Sequence, residues 1–176
     1  MNVNYINPFI TATTHVFKTV LDCDIRRQHL SLKQTRAPTF EVSGVIGLTG
    51  KANGAVALSV SKPLAFKLVE VMLETRVHEI NSDVADAVGE LTNMIAGGAK
   101  TGLSHYELSL GLPTVFTGRS RTIDFPASVS PLCVLFETLW GPMAVEVGLN
   151  APRSAGSADN PPRPNAFHPS LQENYA

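Results

Sequence analysis

The apolar residues of positions 81–103, NSDVADAVGELTNMIAGGAKTGL, recur at the spacing of an amphipathic helix. At roughly 100° per residue, one side of that helix collects Val84, Val88, Leu91 and Ile95. The opposite side holds a polar stripe, which consists of Asp86, Glu90, Asn93, Gly97 and Lys100. Mainly alanine and glycine flank this stripe, so we predict a smooth helix face that points away from the core.

The same patterning predicts two more helices and several strands. Asn7 and Pro8 predict a capped start for a helix that ends near Cys23, and Ser61 precedes a helix that ends near Thr75. Apolar runs predict strands at 25–33, 40–48, 55–60, 108–112, 113–118, 131–137 and 143–149. The predicted fold class is therefore α+β, a layered domain of about three helices on a mostly antiparallel sheet of about six strands.

Length and composition divide the chain into a domain and a tail. A chain of 176 residues that is 44% hydrophobic has the size of one domain and can bury a core. We predict that this domain spans residues 1–149. Residues 150–176 are rich in Pro, Ser, Ala and Asn, and they hold almost no branched apolar side chains. Such a segment cannot bury enough surface to offset its ordering entropy, which predicts a flexible tail.

Charge and cysteine content exclude several classes of function. A net charge of −1 argues against nucleic acid as a partner, because nucleic acid requires a basic surface. The sequence contains no apolar run of membrane-spanning length, so we expect no membrane span. Cys23 and Cys133 are best interpreted as two buried free thiols in a reducing compartment, and we expect a cytoplasmic protein.

Candidate chemistry outside the stripe is weak. The five histidines lack metal-ligand spacing. Residues 104–107 contain Ser, His and Glu, but no nucleophile elbow surrounds them. Asp83, Asp86 and Glu90 share one side of the helix and could hold a cation, although carboxylates at such spacing are usually solvated.

The stripe itself has two interpretations. Polar residues opposite an apolar face describe any surface helix, and periodicity alone favours that interpretation. However, Gly89, Gly97 and Gly98 each cost roughly 1 kcal/mol relative to alanine, which makes sense if another backbone comes close. Asn93 is also a poor helix former. The stripe therefore has the features of a surface that enters another molecule's cleft.

At these residues the chain resembles the CheC/CheX/FliY family of chemotaxis phosphatases, and most of all its CheX members. Asp86-x-x-x-Glu90-x-x-Asn93 matches the family's D-x-x-x-E-x-x-N signature. The similarity includes YINPFI at 5–10, VSGVIGL at 42–48, LPTV at 112–115, FET at 136–138 and WGP at 140–142. The first helix contains no E-x-x-N, so one site is expected. The family's downstream proline is out of register, and Pro113 is given no role.

The resemblance implies a phosphatase that hydrolyses the aspartyl-phosphate of a CheY-like receiver protein in chemotaxis or a related two-component pathway. Asn93 would orient the attacking water, and Glu90 would pair with the receiver's lysine. Asp86, Gly97 and Lys100 would support the site or contact the partner. The chain would need no cofactor of its own, since the receiver supplies Mg²⁺, and it would form a homodimer. The alternative is a non-catalytic interaction domain that sequesters its receiver.

Overall fold

The structure, a computed structural model, describes residues 4–151 and contains three α-helices and one seven-stranded sheet in that range. The helices are α1 (Ile6–Leu21), α2 (Lys62–Leu73) and α3 (Ser82–Gly102). The strands are β1 (Arg26–Leu32), β2 (Val42–Thr49), β3 (Asn53–Val60), β4 (Ser109–Leu110), β5 (Thr114–Thr117), β6 (Leu132–Thr138) and β7 (Gly141–Asn150). The α+β class is confirmed. The predicted tail, apart from its first two residues, lies outside the described residues.

All strand pairs of the sheet are antiparallel, in the order β1-β6-β7-β3-β2-β4. β5 pairs with the same edge of β2 as β4 does, so both short strands share one neighbour. Pro113 lies between them and has no N–H to donate to a ladder. This break divides the edge into two strands, which correspond to the separate runs predicted at 108–112 and 113–118, and the sheet has seven strands where about six were predicted.

The two faces of the sheet are covered differently. The three helices pack on one face and form the main core, to which α1 contributes the fully buried Phe9 and Phe17. On the other face, Ile123 and Phe125 come from the connection between β5 and β6 and pack against Ala55 and Ala57 of β3. The sequence analysis did not predict this second apolar layer.

The start of α1 differs from the prediction. Tyr5 takes the N-cap position without a side-chain cap, and Asn7 and Pro8 lie inside the first turn. The assignment of Asn7 as the cap is therefore wrong. Ile6 is 2% exposed, and its burial brings it into the helix. Pro8 is tolerated because the first-turn N–H groups have no intrahelical partner in any case.

Both cysteines are buried free thiols, as the sequence predicted. Burial raises the pKa of Cys23 and of Cys133, because a thiolate loses solvation in the protein interior. None of the helices within residues 4–151 is both long and apolar enough to cross a membrane.

Candidate functional site

The helix α3 has the amphipathic form that its sequence predicts. Asn81 is its N-cap, and the side-chain Oδ1 accepts a hydrogen bond from the backbone N–H of Val84 at 3.2 Å. The predicted inner face is buried, with exposures of at most 1% for Val84, Val88, Leu91 and Ile95. The stripe consequently faces away from the core along about four turns of the helix.

Two glycines let α3 pack closely against its neighbours on either side. A Cβ added to Gly98 would lie 3.0 Å from the Cβ of Ala12 in α1. A Cβ added to Gly89 would lie 3.3 Å from Cγ2 of Val115 in β5. Both glycines thus allow contacts inside the domain, and their interpretation as space for a partner stays a prediction.

A third close approach fixes α3 on the sheet. Gly44 of β2 lies directly under Thr92, whose hydroxyl occupies the space that a side chain at position 44 would need. The Thr92 hydroxyl donates a hydrogen bond to the Val88 carbonyl at 2.6 Å. The helix is therefore held by α1, β5 and β2 on three sides, which gives its exposed stripe a defined position.

On the stripe, Asp86, Glu90, Asn93 and Lys100 are exposed and Gly97 is half-buried. Within residues 4–151, the four polar side chains form no hydrogen bond or ion pair with the rest of the chain. Glu90 and Asn93 are separated by three residues, about 4.5 Å along the helix axis. The carboxylate can accept from a cation, and the carboxamide can both donate and accept. Both are thus available to another molecule.

The alternative chemistries considered for this region fail on geometry. The ring of His105 stacks on Tyr106 at a centroid distance of 3.9 Å, and Glu107 forms an ion pair with Lys51. Ser104 therefore has neither a general base nor a carboxylate that orients such a base, as a catalytic triad requires. In the described part of the chain, no three His, Cys, Asp or Glu side chains come together as metal ligands. The proposed cation site at Asp83, Asp86 and Glu90 is thus not supported.

The stripe lies outside two clefts of the surface. The larger cleft, of about 620 Å³, is lined by residues of 24–28 and 137–139 at the opposite side of the sheet. A smaller one, of about 200 Å³, borders α2. Neither contains a stripe residue. An exposed polar helix face cannot enclose a small molecule, so its chemistry requires a partner with a cleft.

The turn between β4 and β5 is a part of this surface that the sequence analysis missed. The side chain of Pro113 lies 3.8 Å from the position that a Cβ added to Gly89 would take, and Gly89 directly precedes Glu90. Leu112 is 90% exposed in the same turn. The only signal in the sequence was a leucine before a proline between two short strands.

Fold and stripe together define an α+β domain that exposes, on one helix, polar side chains with no partner within residues 4–151. Residues 42–137, which include the whole stripe, match the family model described as chemotaxis phosphatase CheX. The chain belongs to this family.

Individual relatives agree with this assignment. The CheY-P phosphatase CheX of Thermotoga maritima is 27% identical over 126 residues, which cover 70% of this chain and 81% of the relative. The crystal structure of a CheC-like superfamily protein from Shewanella sp. PV-4 matches at a TM-score of 0.77 and 31% identity, covering 86% of this chain and 100% of the other. A CheX–CheY–BeF3–Mg²⁺ complex from Borrelia burgdorferi shares the fold at a TM-score of 0.72 and 21% identity, covering 85% and 99%.

Proposed function

We propose that this chain hydrolyses the aspartyl-phosphate of a CheY-like receiver domain in chemotaxis or a related two-component pathway. Glu90 and Asn93 are exposed, have no partner within residues 4–151, and lie on a helix that packs against α1, β2 and β5. This observation supports the proposal most. The Thermotoga maritima relative is named a CheY-P phosphatase, and the Borrelia burgdorferi complex contains CheY. Both names support a CheY-like partner.

In this proposal Asn93 positions the nucleophile. Its carboxamide oxygen accepts a hydrogen bond from a water molecule and orients that water in line with phosphorus. Attack breaks the bond between phosphorus and the aspartyl oxygen, which leaves the aspartate carboxylate and dihydrogen phosphate. An acyl phosphate is already reactive, so positioning supplies much of the acceleration. An amide suits the task because, unlike a carboxylate, it does not repel the phosphate.

In this proposal Glu90 binds the receiver. Its free carboxylate lies one turn before Asn93 and pairs with the active-site lysine of the receiver, so that the two molecules align around the phosphate. Asp86, Gly97 and Lys100 extend the contact along the same stripe. The proposal assigns Mg²⁺ to the receiver and gives this chain no cofactor.

A homodimer, which the family resemblance implies, is also part of the proposal. β1 is an edge strand with every residue exposed, and its outer edge is available for pairing. Light scattering on the purified protein distinguishes a dimer from a monomer.

The test compares single variants in an assay of receiver phosphate loss. Asn93→Ala is expected to lower the accelerated rate by at least about 100-fold, because the water loses its orienting group. Glu90→Gln, which keeps the size and removes the charge, is expected to lower kcat/KM by about tenfold or more. Asn7→Ala replaces another exposed helical asparagine, and it is expected to leave the rate unchanged.

Two results would contradict the proposal in different ways. If Asn93→Ala retained the wild-type rate while remaining folded, the assigned mechanism would be wrong. If the wild-type protein bound the phosphorylated receiver without shortening the lifetime of the phosphate, the chain would instead be a sequestering interaction domain.

A further inference from the structure

Two leucines stand out on the surface of residues 4–151. Leu112 and Leu139 are each 90% exposed, whereas the other large apolar side chains classed as exposed there reach at most 45%. A single exposed leucine is ordinary on a protein surface, so exposure alone decides nothing. The two differ in their surroundings, because Leu112 precedes Pro113, which lies near Gly89 of α3, whereas Leu139 lies in the turn between β6 and β7.

The turn that bears Leu112 is held on both sides. The N–H of Gly111 donates to the carbonyl of Gly47 at 2.9 Å. Before the turn, Leu110 pairs with Leu48 of β2, and after it Thr114 pairs with Val45. Because three backbone attachments flank one side chain, Leu112 is presented in a fixed place, and little conformational entropy remains to be lost on binding.

The same turn touches α3 at the site. Pro113 lies against Gly89, and Gly89 directly precedes Glu90. A molecule that binds Glu90 and Asn93 therefore comes close to the turn between β4 and β5, which contains Leu112. Protein contact surfaces usually combine apolar side chains with a surrounding rim of polar groups.

We infer that Leu112 is a docking residue for the receiver: it packs against an apolar patch beside the receiver's phosphorylation site while the stripe enters that site. This inference rests on the proposed function. Leu112 touches no reacting atom in this arrangement, so it contributes to binding and leaves the chemical step alone. Its effect should consequently appear in KM and not in kcat.

The experiment uses Leu112→Ser with Leu139→Ser as the matched control. The two positions have equal exposure but lie on opposite sides of β7, β3 and β2, roughly 15–20 Å apart at the spacing of neighbouring strands. Leu112→Ser is expected to raise KM for the phosphorylated receiver about tenfold, which corresponds to about 1.4 kcal/mol, with kcat unchanged. Leu139→Ser should behave as wild type, and Leu112→Met, which keeps an apolar side chain, should restore KM to within about twofold.

Binding is measured separately by calorimetry with the receiver loaded with beryllofluoride as an acyl-phosphate mimic. A tenfold weaker Kd for Leu112→Ser alone would support docking even if wild-type protein failed to accelerate phosphate loss, so the two proposals fail independently. Equal KM and Kd for both serine variants would overturn the inference, as would a loss of kcat at constant KM. A Leu112→Ser variant that changed only the oligomeric state in light scattering would assign this residue to a contact between copies of the chain.

Discussion

At the scale of single residues, Gly89, Gly97 and Gly98 of α3 serve two purposes. Gly89 and Gly98 allow neighbouring elements of the same domain to approach the helix. Gly97 is different, because a Cβ added there would have no atom within 4 Å. Internal packing thus does not explain Gly97, whereas its place on the stripe between Asn93 and Lys100 fits a close approach by the receiver.

Gly97→Ala is therefore expected to stabilise the fold while weakening receiver engagement. Alanine in an open helix position should raise the free energy of unfolding by about 0.5–1 kcal/mol. The added methyl group should raise KM for the receiver several-fold. Urea unfolding and phosphatase kinetics measure the two effects, and Gly98→Ala, crowded by Ala12, should give no such stabilisation. A stabilised Gly97→Ala protein with unchanged KM would show that the receiver does not contact this position.

At the scale of secondary-structure elements, the position of the site depends on how α3 lies on β2. The two elements meet at Gly44 and Thr92, where the absence of a side chain on the strand admits the threonine hydroxyl. Gly47 of the same strand makes a useful comparison, since an added Cβ there would meet nothing within 4 Å. The requirement for glycine at position 44 therefore comes from the helix above it.

Gly44→Ala is expected to lower the free energy of unfolding by about 1–3 kcal/mol, because the methyl group would overpack the contact with Thr92. Combining it with Thr92→Ala removes the clashing hydroxyl, so the double variant should lose less than the sum of the two single losses. Denaturant unfolding of the four proteins measures this coupling. Gly47→Ala is the control, and a cost at position 47 equal to that at position 44 would contradict the assigned contact.

At the scale of the whole molecule, the sheet separates two unlike interiors. The helical face is a continuous apolar core. The opposite face contains a buried ion pair, in which Nζ of Lys33 lies 2.6 Å from Oε1 of Glu146. Thr39 donates a hydrogen bond to the same carboxylate oxygen at 2.5 Å. Nζ of Lys33 also donates to the Thr39 hydroxyl at 2.9 Å, whereas the second carboxylate oxygen, Oε2, has no partner among the described residues.

Removing one member of this pair should be costly. Glu146→Ala is expected to lower the free energy of unfolding by about 3–5 kcal/mol, because Lys33 would remain charged and buried. Replacing both residues, as in Lys33→Met with Glu146→Leu, should recover most of the loss. Lys18→Ala, which breaks an exposed pair with Asp24, should have a much smaller effect on the free energy of unfolding. If Glu146→Ala unfolded at the same denaturant concentration as Lys18→Ala, the ion pair of Lys33 and Glu146 would not stabilise the fold.

The elements of the fold were predictable where local chemistry decides them. The buried face of α3 and the strands β2 and β3 follow from periodicity, which acts over a few residues. The outward stripe followed in the same way. The start of α1 did not, because burial of Ile6 against distant residues outweighed the local preference of Asn7 for a cap.

The sequence by itself determined which residues share a face of α3, and the family signature that they form. The tertiary structure decided what surrounds that face. Only the fold brings Pro113 against Gly89 of α3, places Gly98 against Ala12, and buries Lys33 with Glu146, 113 positions apart in the chain. The physical reason is range: periodicity and capping depend on neighbours within a turn or two, whereas packing joins residues that the sequence keeps far apart.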